Sequence, residues 1–244
     1  MSDDLFQRAQ TLSGEGTYEE ALPLWRQLVE ATRTGLPLNR DLLYTCLVSL
    51  GECYSETEQY PLAIAALEEA LALGEGLGET NLDILMAELA WIHKEQGNTD
   101  EAIWLFEKAF TDADASGQAD IAFHLGDLFV NQQFDRAVEY WEKGLQLARQ
   151  LQNTELMNIF WERLITYHQA QDLFLQAIAY SQARITALQG RPELVSAHLE
   201  LAAVYEAAWR LKERLEQPQL ARQVMERFPE VDWWREQLHA WPPE

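Results

Sequence analysis

Carboxylates are the most abundant side chains in this chain that could do chemistry. Its 244 residues include 40 Asp and Glu against 18 Lys and Arg, and the formal charge is −22. Carboxylates act in acid/base catalysis or hold a metal only when several of them converge in one pocket. The sequence contains no nucleophile-elbow motif, glycine-rich phosphate loop, C-x-x-C or H-E-x-x-H. We therefore predict a protein that is not an enzyme and that needs no metal and no cofactor.

Histidines and cysteines, the other reactive side chains, are predicted to pack rather than react. Three of the five histidines occupy positions of a repeat that large residues fill elsewhere, and they are His93, His168 and His198. Cys46 and Cys53 are seven residues apart, so about 10 Å of helical rise separates them, which is beyond the reach of a disulfide. We expect two buried, reduced thiols.

The negative charge also excludes classes of partner. A charge of −22 repels phosphate backbones and anionic lipid headgroups, so we expect neither nucleic-acid nor membrane binding. The chain shows no secretory signal, and no apolar stretch approaches the 18 residues of a membrane span. We expect a cytoplasmic protein, and basic partners remain open.

A recurring pattern identifies the elements that position these side chains. A large apolar residue, two others, Leu, a small residue, two others and an aromatic residue or His recur along the chain. Examples are Leu47-Leu50-Gly51-Tyr54, Met86-Leu89-Ala90-His93 and Ala122-Leu125-Gly126-Phe129. A second motif follows, in which Ala precedes a bulky residue by four: Ala63 and Leu67, Ala102 and Phe106, Ala137 and Trp141. Ile165 occupies the next position of the small residue, and the fourth copy of the second motif, Ala177 and Ser181, is weak.

This pattern resembles the tetratricopeptide repeat family, whose unit is a pair of antiparallel helices. The resemblance implies an all-α fold, a right-handed superhelical α-solenoid of about five to six helix-turn-helix repeats, with twelve or thirteen helices. The small residues repeat every 36 to 39 positions, longer than the standard 34, so helices or loops should be extended. We assign residues 1–229 to the repeat array and residues 230–244 to a C-terminal capping helix and tail.

The predicted capping helix concentrates aromatic area. It carries Trp233, Trp234, Leu238 and Trp241, and an open array needs such a cap over its last repeat. The alternative use of the same face is homodimerisation.

Charge is concentrated in repeats two to four. Between Asp41 and Asp135, 19 acidic residues accompany only Lys94 and Lys108. In the family, the first helix of each repeat lines a concave groove that holds a peptide or a partner helix. The resemblance places twelve residues on or beside that wall: Glu52, Glu56, Glu88, Trp91, Glu95, Phe123, His124, Asp127, Asn131, Arg163, Thr166 and Gln169.

An acidic wall with two aromatic residues selects one function among those of the family. Members that clamp a terminal carboxylate use Lys, Arg and Asn at these positions, where this chain has Glu and Asp. We therefore predict a scaffold or adaptor that binds a basic, partly apolar peptide or helix of a partner protein. The alternative is a peptide-sensing regulator of the Rap type. A third interpretation, in which the acidic residues are a solvated surface and the aromatics are core, also remains open.

Overall fold

The computed structural model describes residues 2–35, 38–130, 132–191, 193–194, 196–201, 203–204 and 207. Every regular element in these residues is helical, which confirms the predicted all-α fold. Ten helices are complete: α1 Ser2–Gly14, α2 Tyr18–Thr34, α3 Arg40–Glu56, α4 Tyr60–Leu77, α5 Leu82–Glu95, α6 Thr99–Asp112, α7 Ala115–Phe129, α8 Phe134–Gln150, α9 Thr154–Ala170 and α10 Phe174–Ala187. Helical backbone resumes at residues 196–201. The predicted capping helix at 230–244 lies outside the described residues, so its role stays a prediction.

Local sequence signals mark where these helices begin and end. The side chains of Asn39, Asp114 and Asn153 cap α3, α7 and α9 by accepting a hydrogen bond from a backbone N–H of the first turn. Pro61 lies in the first turn of α4, where its missing N–H is not needed by the helix. That helix runs for 18 residues before Gly78, at φ +77°, ends it, so here the extra residues of the long repeat lengthen the helix.

The chain forms two compact units, residues 1–132 and 133–244. In the first unit, α1 packs on α2, α3 on α4 and α5 on α6, and α7 follows against α6. In the second unit, α8 packs on α9, and α9 packs on α10. Successive packed helices joined by short turns are the helical hairpins that the repeat predicts.

Small residues of the repeat allow these helices to approach closely. A Cβ added to Gly51 of α3 would lie 2.4 Å from Leu67 Cδ2 of α4, the bulky residue of the second motif. In the second unit, a Cβ on Gly144 would lie 2.1 Å from Phe160 Cζ. These distances are far below van der Waals contact, so both glycines are required by packing.

The two cysteines and His168 pack as predicted, whereas His93 and His198 are only partly buried. Cys46 and Cys53 are buried free thiols, and burial raises the pKa of Cys46 to about 11. His168 is buried, and its Nδ1 lies 2.7 Å from the carbonyl oxygen of Leu164, to which it donates.

Candidate functional site

A cleft of about 450 Å³ opens in the first unit. Most of its lining comes from α5 and α7, with contributions from the end of α3 and from α6 and its C-terminal turn. The lining residues are Ser55, Glu56, Asp83, Ile84, Ala87, Glu88, Trp91, Phe106, Ala113, Gly117, Asp120, Ile121 and His124. The cleft therefore lies among the first helices of three consecutive hairpins, within the segment of highest negative charge.

The α5 wall combines apolar and acidic side chains on one helical face. Ile84, Ala87, Glu88 and Trp91 follow the spacing i, i+3, i+4, i+7, which aligns them along the helix. Ile84 is 67% exposed, although large apolar side chains are usually covered. Trp91 is partly exposed and meets Tyr60 edge to face at 6.2 Å between ring centroids. This wall thus offers uncovered apolar area beside a carboxylate.

On the α7 wall, His124 is held in one protonation state. Its ring stacks on Phe106, with centroids 5.2 Å apart, and its Nδ1 lies 3.3 Å from Lys94 Nζ. Burial and the Lys94 ammonium lower the pKa of His124 to about 4, so the imidazole is neutral at pH 7. Because an ammonium can only donate, Nδ1 accepts and Nε2 carries the proton.

Four carboxylates line the cleft, and none forms an ion pair with another described residue. They are Glu56, Asp83, Glu88 and Asp120. Burial and then Asp114 raise the pKa of Asp120. Beside the cleft, desolvation followed by Glu88 and Glu56 raises the pKa of Glu52. Negative charge therefore predominates at the cleft, although the Lys94 ammonium lies beside the lining residue His124.

The structure brings four of the predicted site residues together, namely Glu56, Glu88, Trp91 and His124. Four others lie on the same three helices but outside the lining: Glu52, Glu95, Phe123 and Asp127. Arg163, Thr166 and Gln169 lie on α9, in the second unit. Asn131 lies outside the described residues.

Sequence reasoning missed three prominent lining residues, Asp83, Ile84 and Asp120. They lie about one turn closer to the N-termini of α5 and α7 than the residues that the repeat spacing selects. They lie about two turns before the small residues Ala90 and Gly126, around which the predicted wall is centred, so the prediction did not reach them. Stepping one turn back from Glu88 and His124 would have found Ile84 and Asp120.

The second unit contains a buried arginine that the sequence analysis did not single out. Arg184 of α10 is 2% exposed. Its Nε and one terminal nitrogen donate to Asn158 Oδ1 and Glu162 Oε1 of α9, both at 2.6 Å. The other terminal nitrogen pairs with Glu200 of the following helical segment. Glu162 is thus neutralised from within the unit.

The described residues contain neither a group suited to a metal ion nor a helix suited to a membrane. No group of three or more His, Cys, Asp or Glu side chains is arranged to hold a metal ion. Among the helices there, none is both long enough and apolar enough to cross a membrane.

Comparisons with known proteins agree with the geometry. Residues 47–115 match the model of the tetratricopeptide repeat family. A search of curated protein sequences finds no match.

Solved structures show the same fold at low sequence identity. The C-terminal part of a TPR repeat-containing protein from Cytophaga hutchinsonii is 17% identical, with a TM-score of 0.64 over 93% of this chain and 78% of that one. BtubC (BKLC) from P. vanneervenii is 18% identical, with a TM-score of 0.53 over 99% and 82%. The Rap conjugation gene regulator of the plasmid pLS20, in complex with the Phr* peptide, is 12% identical, with a TM-score of 0.52 over 91% and 64%. These similarities concern the fold alone.

Proposed function

We propose that this chain, which belongs to the tetratricopeptide repeat family, is a non-catalytic scaffold or adaptor that binds a basic, partly apolar segment of a partner protein. The observation that carries the proposal is the cleft of the first unit. Four carboxylates without ion-pair partners among the described residues surround uncovered apolar area there. The Rap-type alternative rests on the shared fold, so we favour the scaffold.

Charge and apolar area contribute differently to such binding. Residues 1–132 carry 24 acidic and 6 basic side chains, a net charge of −18, which attracts a cationic segment and speeds encounter. Trp91 and Ile84 provide area that is desolvated on binding, and aromatic anchors of this kind dominate the energy of interfaces. The negative charge therefore selects a positively charged segment, and the apolar contacts set how long that segment stays bound.

The test uses synthetic peptides because the natural partner is unidentified. Two fluorescein-labelled peptides of about 14 residues are compared by fluorescence anisotropy. Both contain Leu, and one carries Lys and Arg whereas the other carries Glu. Their length is close to that of α5 and α7, the helices that form the cleft walls. We expect binding of the basic peptides only, with association slowed as salt is raised. Replacing Trp91 with Ala should weaken binding by about 1 to 4 kcal/mol, mainly through faster dissociation.

Matched variants separate the cleft from the rest of the surface. Glu88→Lys and Asp120→Lys reverse charges in the cleft, whereas Glu68→Lys and Glu101→Lys reverse exposed charges on second helices. Trp104→Ala is the control for Trp91, because Trp104 is 55% exposed on α6 and does not line the cleft. Equal effects of the cleft variants and their controls would refute the proposal, as would equal binding of acidic and basic peptides.

A further inference from the structure

The shape of the cleft specifies the conformation of its ligand. On the basis of the proposed function, we infer that the segment that enters the cleft is an amphipathic α-helix of the partner, with basic residues on both sides of its apolar face. Three properties of the described lining lead to this inference: the spacing of the wall residues, the shortage of hydrogen-bond donors, and the placement of the carboxylates.

The first property is the spacing on α5. Residues at i, i+3, i+4 and i+7 are the four that form a hole for a side chain of a facing helix when two helices pack. Ile84, Ala87, Glu88 and Trp91 are such a set, and the small Ala87 lies between two large side chains. A depression flanked by Ile84 and Trp91 thus faces the cleft, with Ile84 uncovered.

On α7 the same spacing recurs. Gly117, Asp120, Ile121 and His124 also follow i, i+3, i+4, i+7, again with a small residue in the set. A groove walled by ridges of two helices accepts a third helix, whose own ridges fill it. Each stripe spans eight residues, which is seven steps of 1.5 Å or about 10 Å, and this length matches two turns of a bound helix.

The second property is the chemistry of the lining, which is rich in acceptors and poor in donors. An extended segment presents unpaired N–H and C=O groups that need partners when buried, whereas a helix pairs its own backbone. Ionised carboxylates accept hydrogen bonds but donate none. Side-chain donors in the lining are limited to Ser55, which is buried, and the ring N–H groups of Trp91 and His124. Most carbonyl groups of an extended segment would therefore find no protein donor there.

The third property is that acidic groups occur on both walls. Glu88 lies on the α5 stripe and Asp120 on the α7 stripe, while Ile84 and Trp91 supply the exposed apolar area. A helix whose apolar ridge enters this groove would bring Lys or Arg side chains on either flank toward one carboxylate each. Long basic side chains suit this position because their stems cover apolar surface while their charged ends stay hydrated.

The experiment compares peptides of one composition and different helix-forming ability. The reference peptide has about 14 residues, with Leu spaced i, i+3, i+7 and Lys or Arg on both flanks. A scrambled peptide loses the stripe, a variant with two central Pro residues cannot form the helix, and a lactam-bridged variant is preorganised as a helix. Kd values are measured for each with the full chain, and the Cα chemical shifts of the bound, ¹³C-labelled reference peptide report its conformation.

We expect helical shifts for the bound reference peptide, binding at least about 10-fold tighter for the bridged variant, and binding at least about 10-fold weaker for the Pro and scrambled variants. Filling the hole with Ala87→Leu should also weaken the reference peptide. The control Ala65→Leu, at an exposed position of α4, should leave Kd unchanged.

Two different outcomes would overturn two different statements. If the Pro variant binds as tightly as the reference peptide and the bound shifts are extended, the helix inference is wrong and the acidic cleft remains the binding site. If no basic peptide binds in a way that depends on Trp91 and Glu88, the proposed function fails and the helix inference fails with it.

Discussion

One position of the repeat is filled in opposite ways in α6 of the first unit and in α10 of the second. Ala109 of α6 and Arg184 of α10 each lie seven residues after the alanine of the second motif, Ala102 and Ala177. In the first unit the buried Ala109 reaches no carboxylate, and the cleft beside α5 and α7 stays open. In the second unit Arg184 reaches from α10 to two acidic side chains and an amide.

The bulky residue of the second motif also differs between α6 and α10. Phe106 is the bulky residue of α6, whereas the equivalent residue of α10 is the small Ser181, which donates to the Ala177 carbonyl. A small residue there leaves volume that the long Arg184 side chain can occupy. Arg184 neutralises Glu162 and Glu200, whereas the carboxylates that line the cleft of the first unit have no ion-pair partner among the described residues. The net charge is −18 for residues 1–132 and −4 for residues 133–244, so the first unit also carries more unbalanced negative charge overall.

Removing the arginine should have the largest effect on stability. Replacing Arg184 with Met keeps much of its volume and leaves Glu162 and Glu200 without their cation. We expect the free energy of unfolding to fall by about 2 to 4 kcal/mol, the lower part of this range reflecting that both carboxylates can rehydrate. Chemical denaturation measures the loss. The control Lys143→Met breaks an exposed pair with Glu139 and should cost less than about 0.5 kcal/mol. Equal losses for both variants would contradict the importance of the buried cation.

A second pair of variants compares packing in the two units. Gly144→Ala places a methyl group 2.1 Å from the buried ring of Phe160, and Gly51→Ala places one 2.4 Å from a terminal methyl of Leu67. The ring is planar and enclosed, while a leucine terminus can change rotamer. We expect overpacking to cost about 1 to 3 kcal/mol, with Gly144→Ala at the upper end. Both variants gain the same helix propensity from Ala, so the difference between their melting temperatures reports the cost of packing alone. A larger effect at Gly51 would reverse this ranking.

The third prediction concerns pH and the first unit. The folded pKa of His124 is about 4, below the usual 6.5 of an imidazole, so between these pH values the unfolded chain binds a proton that the folded one does not. His124 therefore lowers stability progressively as pH falls from about 6.5 to about 4. His124→Phe removes this contribution, so its free energy of unfolding should gain on wild type over that interval. We expect a gain of about 1 kcal/mol, below the full linkage value because solvent screens this partly exposed ring, measured by urea denaturation at several pH values.

Lys94→Met tests the cause of the shift in His124. Without the ammonium, the pKa of His124 should rise, although burial still keeps that pKa below its usual value. The pH dependence of the free energy of unfolding should therefore shrink. An unchanged pH dependence in both variants would show that His124 does not titrate as the geometry indicates.

The smallest expected effect is at Glu52. Desolvation and the nearby Glu88 and Glu56 raise its pKa, so its ionised form is disfavoured in the folded state at pH 7. Glu52→Gln should raise stability at pH 7 by a few tenths of a kcal/mol, about the size of other surface charge effects. The gain should shrink as pH falls into the acid range, because the carboxyl of wild type then becomes protonated. Differential scanning fluorimetry compares it with Glu68→Gln, an exposed residue of α4 that should give no change. A gain that persists at low pH would exclude the electrostatic cause.

The repeat itself could be predicted from the sequence because helix packing repeats with the chain. Gly51 recurs in register with Leu47 and Tyr54, and the distance from its added Cβ to Leu67 shows why only a small residue fits. Trp91 and Glu88 could be placed on an inner face because their spacing from Ala90 is local. Ile84 could not, since an exposed isoleucine and a core isoleucine look alike in a periodic pattern.

The sequence by itself determined the helical hairpins, the positions of their close contacts and the sign of the surface charge, since each depends on residues within about two helical turns or on composition. Only the tertiary structure decided which carboxylates are neutralised. Glu162 has a cation because Arg184, 22 residues away, lies 2.6 Å from it, whereas Glu88 and Asp120 share a cleft with no such residue in its lining. Pairing depends on distances between side chains from different helices, and such distances exist only after the helices have packed.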